Sequence, residues 1–89
     1  MKYTQGTLDK IEGVAQQCDY IIRYERGTFN SGYCILEQKK VIVLNKFLDT
    51  EARINTLMEL IPKLSIDIDR LTHDAQNLYQ EIMKNSLAA

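Results

Sequence analysis

Nine apolar or small residues recur at alternating three- and four-residue steps over the C-terminal half of this 89-residue chain: Ile54, Leu57, Ile61, Leu64, Ile68, Leu71, Ala75, Leu78 and Ile82. That spacing is the seam of helices that bury one stripe against a neighbour. About a third of so short a chain lies along this packing stripe, which leaves room for one domain, residues 1–89, and one modest core. Little sequence remains for an elaborate site.

Pro62 interrupts the seam. It lacks a backbone donor and disfavours helical geometry at Ile61, and Ser65 offers a cap for a fresh start with Asp67 and Asp69 behind it. The pattern predicts a helix begun by Asp49 or Thr50, then a second over 66–85. The seam keeps its phase through Pro62, so one kinked helix over 50–85, roughly 50 Å long, is the rival.

Upstream, Thr7 is a candidate cap for a first helix carrying Leu8, Ile11, Val14, Ala15 and Cys18 at helical spacing. The period changes to two at Tyr20: Tyr20, Ile22 and Tyr24 face one way, and Ile21, Arg23 and Glu25 the other. Such alternation, rich in β-branched and aromatic residues, predicts a strand. A loop over 26–32 follows, then strands over 33–37 and 41–45 joined by the short polar link Gln38-Lys39-Lys40. The expected class is α+β in the order α-β-β-β-α-α: an N-terminal helix, a three-stranded antiparallel meander and two C-terminal helices.

Eleven Lys and Arg balance twelve Asp and Glu for a net charge of -1, without the basic stripe of a nucleic-acid binder or an anionic-membrane binder. The N-terminus has no apolar signal core, and Val41-Ile42-Val43-Leu44 is too short to span a bilayer. Two cysteines, Cys18 and Cys34, are too few for a disulfide framework. The expectation is a soluble cytoplasmic protein with no nucleic-acid or membrane partner.

Helix, three strands, the strand Val41-Ile42-Val43-Leu44-Asn45 and the helix Arg53-Ile54-Asn55-Thr56-Leu57-Met58-Glu59-Leu60 follow in an order that resembles ImmA/IrrE-like metallopeptidase domains over about residues 7–62. In that family the helix holds His-Glu-x-x-His, two zinc ligands one turn apart with the Glu as general base. Setting that Glu on Glu59 places Met58 and Pro62 where the histidines belong, and the Thr-Leu pair falls one residue out of register. The resemblance therefore implies a scaffold without the metal site. The stretch Gly27-Thr28-Phe29-Asn30-Ser31-Gly32-Tyr33-Cys34 leading to Leu44-Asn45-Lys46 is also similar to small uncharacterised bacterial proteins of like length, a likeness that implies no activity.

The residues offer no catalytic, metal or cofactor constellation. His73, the sole histidine, lies off the seam and should face solvent. Ser31 lacks a nucleophile-elbow context, Cys34 alternates along a strand as a structural cysteine does, and no phosphate-cradling glycine pattern occurs. The 27–32 loop is a candidate anion site: main-chain donors near Thr28, Asn30, Ser31 and Gly32 beside Arg26 and Lys46, with Arg23 nearby. Its plainer alternative is a polar turn.

The third strand is apolar on both faces, more than the chain's own helices are expected to cover, and a second copy is the simplest cover. The expected role is a non-catalytic interaction or adaptor module, a homodimer with room for a protein partner. Its candidate interface residues are Ile54, Leu57, Met58, Ile61, Leu64, Ile68, Leu71, Leu78, Tyr79, Ile82 and Met83, which serve equally as the core of an intramolecular helical hairpin. Small-ligand or anion binding by the 27–32 loop, and an inactive relative of a zinc peptidase, are the alternatives.

Overall fold

The computed structural model describes residues 2–26 and 33–88, with the side chains of 86–88 excepted. Helix α1 (Gln5–Gln16) is followed by strands β1 (Ile21–Glu25), β2 (Tyr33–Leu36) and β3 (Val41–Asn45), then by helices α2 (Thr50–Leu60) and α3 (His73–Ala88). The class is α+β, as expected.

The sheet is not the expected antiparallel meander. Its order is β1-β3-β2, with β3 parallel to β1 and antiparallel to β2. The physical reason lies in composition. β3 is apolar on both faces, and its Ile42 and Leu44 are fully buried with Val43 nearly so. A central position satisfies both of its backbone edges inside the sheet, while β1, with Arg23 and Glu25, takes a wet edge. Sequence adjacency governs only the β2–β3 hairpin, which closes through a 3-10 turn (Glu37–Lys39) and Lys40 at φ 52°.

Helix α1 starts earlier than Thr7: the Thr4 hydroxyl accepts from the Thr7 amide at 3.2 Å. It stops at Gln16, and the amide of Tyr20 reaches back to the Ala15 carbonyl while that of Asp19 bonds the Gln16 carbonyl. Asp19 has φ 69° there. This is a Schellman ending with an aspartate in the left-handed position.

Residues 50–88 hold two α-helices, not one kinked rod. Asp49 caps α2 through its bond from the Ala52 amide at 2.8 Å. Pro62 sits in a 3-10 turn (Ile61–Lys63), and Leu64 is extended. The last helix does not begin at residue 66. Asp67 accepts from the Asp69 amide at 3.1 Å, an Asx-type turn that competes with helix, and Ile68–Arg70 form an isolated 3-10 turn. Thr72 is the actual cap, accepting from Ala75 at 3.3 Å.

One face of the sheet and the helices share a single core. It is built from Leu8, Ile11 and Val14 of α1, Ile42 and Leu44 of β3, and the buried seam residues. Tyr20 staples its far end: its hydroxyl accepts from the Ser65 amide at 3.0 Å and donates to the Glu37 carboxylate at 3.2 Å. Among the described residues no helix is long and apolar enough to cross a membrane.

Candidate functional site

The seam turns inward on its own chain. Ile54, Leu57, Ile61 and Ile82 are fully buried, Leu64 and Leu71 nearly so, and all six belong to the core. Met58, Leu78 and Tyr79 are half-buried and pack against it, and Met83 is half-buried outside that cluster. Ile68 is the one of the eleven that is exposed, at 45%. The intramolecular role accounts for nine of these positions without a second chain.

The other face of the sheet lies outside the core and is open at its margins, although Val43 at its centre is only 7% exposed. Strand register places Ile21, Val41 and Leu36 in one row across it, Arg23, Val43 and Cys34 in the next, and Glu25 beside Asn45 at the end. Ile21 is 57% and Leu36 44% exposed. None of these side chains belongs to the core cluster, whereas their strand neighbours Ile22, Tyr24, Tyr33 and Ile35 pack against it. The alternation of strand side chains puts the two ends of an apolar row in water, with Val41 half-buried between them.

The free edge of β1 adjoins this face. The Ile21 amide donates to Lys40 and the Lys46 amide donates to Glu25, so in the parallel ladder residues 21, 23 and 25 turn their backbone groups toward β3. Ile22 and Tyr24 turn theirs the other way, where no described residue pairs with them. Arg23 and Glu25 stand on the open face and pair with each other at 3.1 Å, 60% and 46% exposed.

At the C-terminal end of β1 and β3 lies a cationic group. Asn45 accepts from the Phe47 amide at 3.0 Å, and this tight turn sets Phe47 out into solvent, 69% exposed. Arg26 and Lys46, two of the sequence candidates, both reach that ring, at 5.8 and 5.4 Å from its centroid. Thr28, Asn30, Ser31 and Gly32 lie outside the described residues. Beneath, Tyr24 donates to the Glu12 carboxylate of α1. Burial first, and then Glu12, raise the Tyr24 hydroxyl well above its ordinary pKa, against the opposing pull of Arg53.

The remaining sequence candidates scatter. His73 is exposed at the start of α3. Cys18 is buried on the core side and Cys34 half-buried on the open face, so the sheet separates these two free thiols. Met58 is half-buried and Pro62 ends α2. A groove of about 660 Å³ between α1 and α3 is lined by Asp9, Lys10, Thr72, Asp74 and Glu81 among others. Its charges are mostly solvated carboxylates. Among the described residues no three His, Cys, Asp or Glu side chains converge as metal ligands would.

Sequence reasoning missed Ile21 and Leu36, because their exposure depends on strand order rather than on periodicity. It also missed Phe47, whose signal was visible: an aromatic inside the polar turn Asn45-Lys46-Phe47-Leu48-Asp49. No family model, no curated protein and no solved structure matches the chain.

Proposed function

We propose that this chain is a small non-catalytic interaction module that self-associates through the part of its sheet left open by its own helices. The observation that carries it is the row Ile21–Val41–Leu36 on the sheet face turned away from the core, with Ile21 57% and Leu36 44% exposed. Contiguous apolar surface, unlike singly scattered apolar side chains, marks contact sites. The seam, being consumed within the chain, is not needed for this role. Free cysteines suit a reducing compartment. Sedimentation velocity from micromolar to millimolar protein tests it: a rise in weight-average mass toward the dimer is expected. A constant monomer mass across that range overturns it.

A second reading, a protein that binds small anions, draws support from the meeting of Arg26 and Lys46 over Phe47. Its test is thermal stabilisation by inorganic phosphate that Lys46→Ala abolishes. The likeness to ImmA/IrrE-like domains stays a proposal about scaffold, with no activity drawn from it.

A further inference from the structure

We propose that β1 pairs with β1 of a second copy, antiparallel, with Tyr24 facing Tyr24 of the partner subunit. The inference rests on the self-association proposed above and places its contact at the free β1 edge that adjoins the open face, with the apolar row beside the contact rather than buried in it.

Backbone geometry limits the choices. Ile22 and Tyr24 are the β1 residues whose amides and carbonyls face away from β3. A two-fold antiparallel pairing must set outward-facing residues opposite outward-facing ones. Three registers satisfy this: Ile22 on Ile22, Ile22 on Tyr24, or Tyr24 on Tyr24.

Charge on the open face separates them. With Ile22 on Ile22, Glu25 falls opposite the partner's Asp19, which bears the same charge and whose φ of 69° takes it out of the strand. With Ile22 on Tyr24, Arg23 meets the partner's Arg23 in the close, non-hydrogen-bonded position, about 4.5 Å between Cα atoms. Like charges there oppose pairing. With Tyr24 on Tyr24, Arg23 meets the partner's Glu25 and Glu25 meets the partner's Arg23. The Arg23–Glu25 pair that now bridges within one strand becomes a four-charge cluster across two.

The Tyr24 side chain does not obstruct this register. Its hydroxyl is held inward on Glu12, and its ring lies under Arg53, so this side chain is drawn off the backbone edge. The β2 edge carries no such self-complementary charge pair in Tyr33–Leu36. The product is a six-stranded sheet, β2-β3-β1-β1-β3-β2, whose open face runs across five strand spacings, roughly 24 Å.

Cross-linking reads the register directly. Arg23→Cys and Glu25→Cys are made separately, each with Cys34→Ser to remove the half-buried native thiol. Under mild oxidation the mixture of the two is expected to give a disulfide-linked dimer, while each alone gives none, since only the 23–25 pair falls within disulfide reach. Cross-linking of the Arg23→Cys protein by itself would indicate the wrong register and overturn the proposal. A second measurement needs no oxidation: Arg23→Glu should weaken the dimer roughly tenfold or more, and adding Glu25→Arg should restore it. Both positions are exposed, so folding is not at stake. A dimer indifferent to these changes refutes the β1 pairing but leaves self-association standing. A chain that stays monomeric at every concentration refutes both.

Discussion

The guanidinium of Arg53 lies 4.2 Å from the centroid of the Tyr24 ring, while its Nε and Nη2 donate to the Leu48 and Lys46 carbonyls at 2.9 and 3.0 Å. One side chain on α2 thereby fixes the β3–α2 connector and presses on β1. Lysine has the charge but neither the planar fork nor the stacking surface. Arg53→Lys is expected to cost about 1–2 kcal/mol, measured as a shift in the urea midpoint at unchanged slope.

Tyr24 and Tyr20 tie stability to high pH. Burial is the main cause of the raised pKa of both; Glu12 reinforces it at Tyr24, and Glu37 does so at Tyr20 while the Ser65 amide opposes it. In the unfolded chain tyrosine ionises near pH 10, while the folded protein retains those protons. The folded state thus binds more protons above that pH, and stability falls as pH rises. The contribution is complete below about pH 10. Tyr24→Phe should lower stability at pH 7 by about 1–2 kcal/mol, through the lost bond to a charged acceptor, and should flatten the alkaline decline. Urea titrations at several pH values between 7 and 11.5 would show a decline as steep as in the parent chain if the coupling were absent.

The two roles open to the helical seam separate under truncation. Leu57 is fully buried within the core, so Leu57→Ala should destabilise the fold by about 2–5 kcal/mol. Because that side chain faces its own chain, the dimer dissociation constant of the folded fraction should not move. Paired denaturation and sedimentation measurements on one sample check both halves.

Much of the fold was legible because burial on one face imposes a period. β3 runs over 41–45 as its apolar run indicates, and the alternation Tyr20/Ile22/Tyr24 against Ile21/Arg23/Glu25 marks the first strand, while packing decides that the former set meets the core. What periodicity lacks is long-range information. Strand order depends on which strand gains most from two partners, a comparison among β1, β2 and β3 rather than a property of any one. The seam between Ile61 and Leu71 shows the opposite failure. These residues keep helical spacing and are largely buried, yet Asp67 and Pro62 impose turns, so a helical phase ran through non-helical chain. At the open site Arg26 and Lys46 were legible as candidates. Their meeting on Phe47 required knowing that β1 and β3 run parallel and end side by side.

The cysteines report on the open face. Cys18 is 1% exposed, its thiol turned to the Asp67 carbonyl at 3.6 Å, whereas Cys34 stands half-buried in the row with Arg23 and Val43. A thiol reagent should modify one equivalent in the native protein, and the second across the unfolding transition. Pairing through β1 leaves β2 free, so the native labelling rate should not depend on protein concentration. A rate that falls as concentration rises would point to contact through the face itself.

Asp19 closes α1 at φ 69°, a left-handed conformation that glycine, asparagine and aspartate tolerate and other residues adopt under strain. Its partner Arg70 sits across a solvent-exposed ion pair, with side chains 47% and 60% exposed, a contact worth little. The backbone conformation, not the charge, should therefore decide what this position tolerates. Asp19→Asn keeps a residue that visits the left-handed region and should change stability by less than about 0.5 kcal/mol. Asp19→Val puts a branched Cβ against the following carbonyl and should cost about 1–2 kcal/mol more. Urea denaturation of the two variants side by side is the check. Equal losses would mean that the ion pair to Arg70, rather than the backbone conformation, decides what this position tolerates.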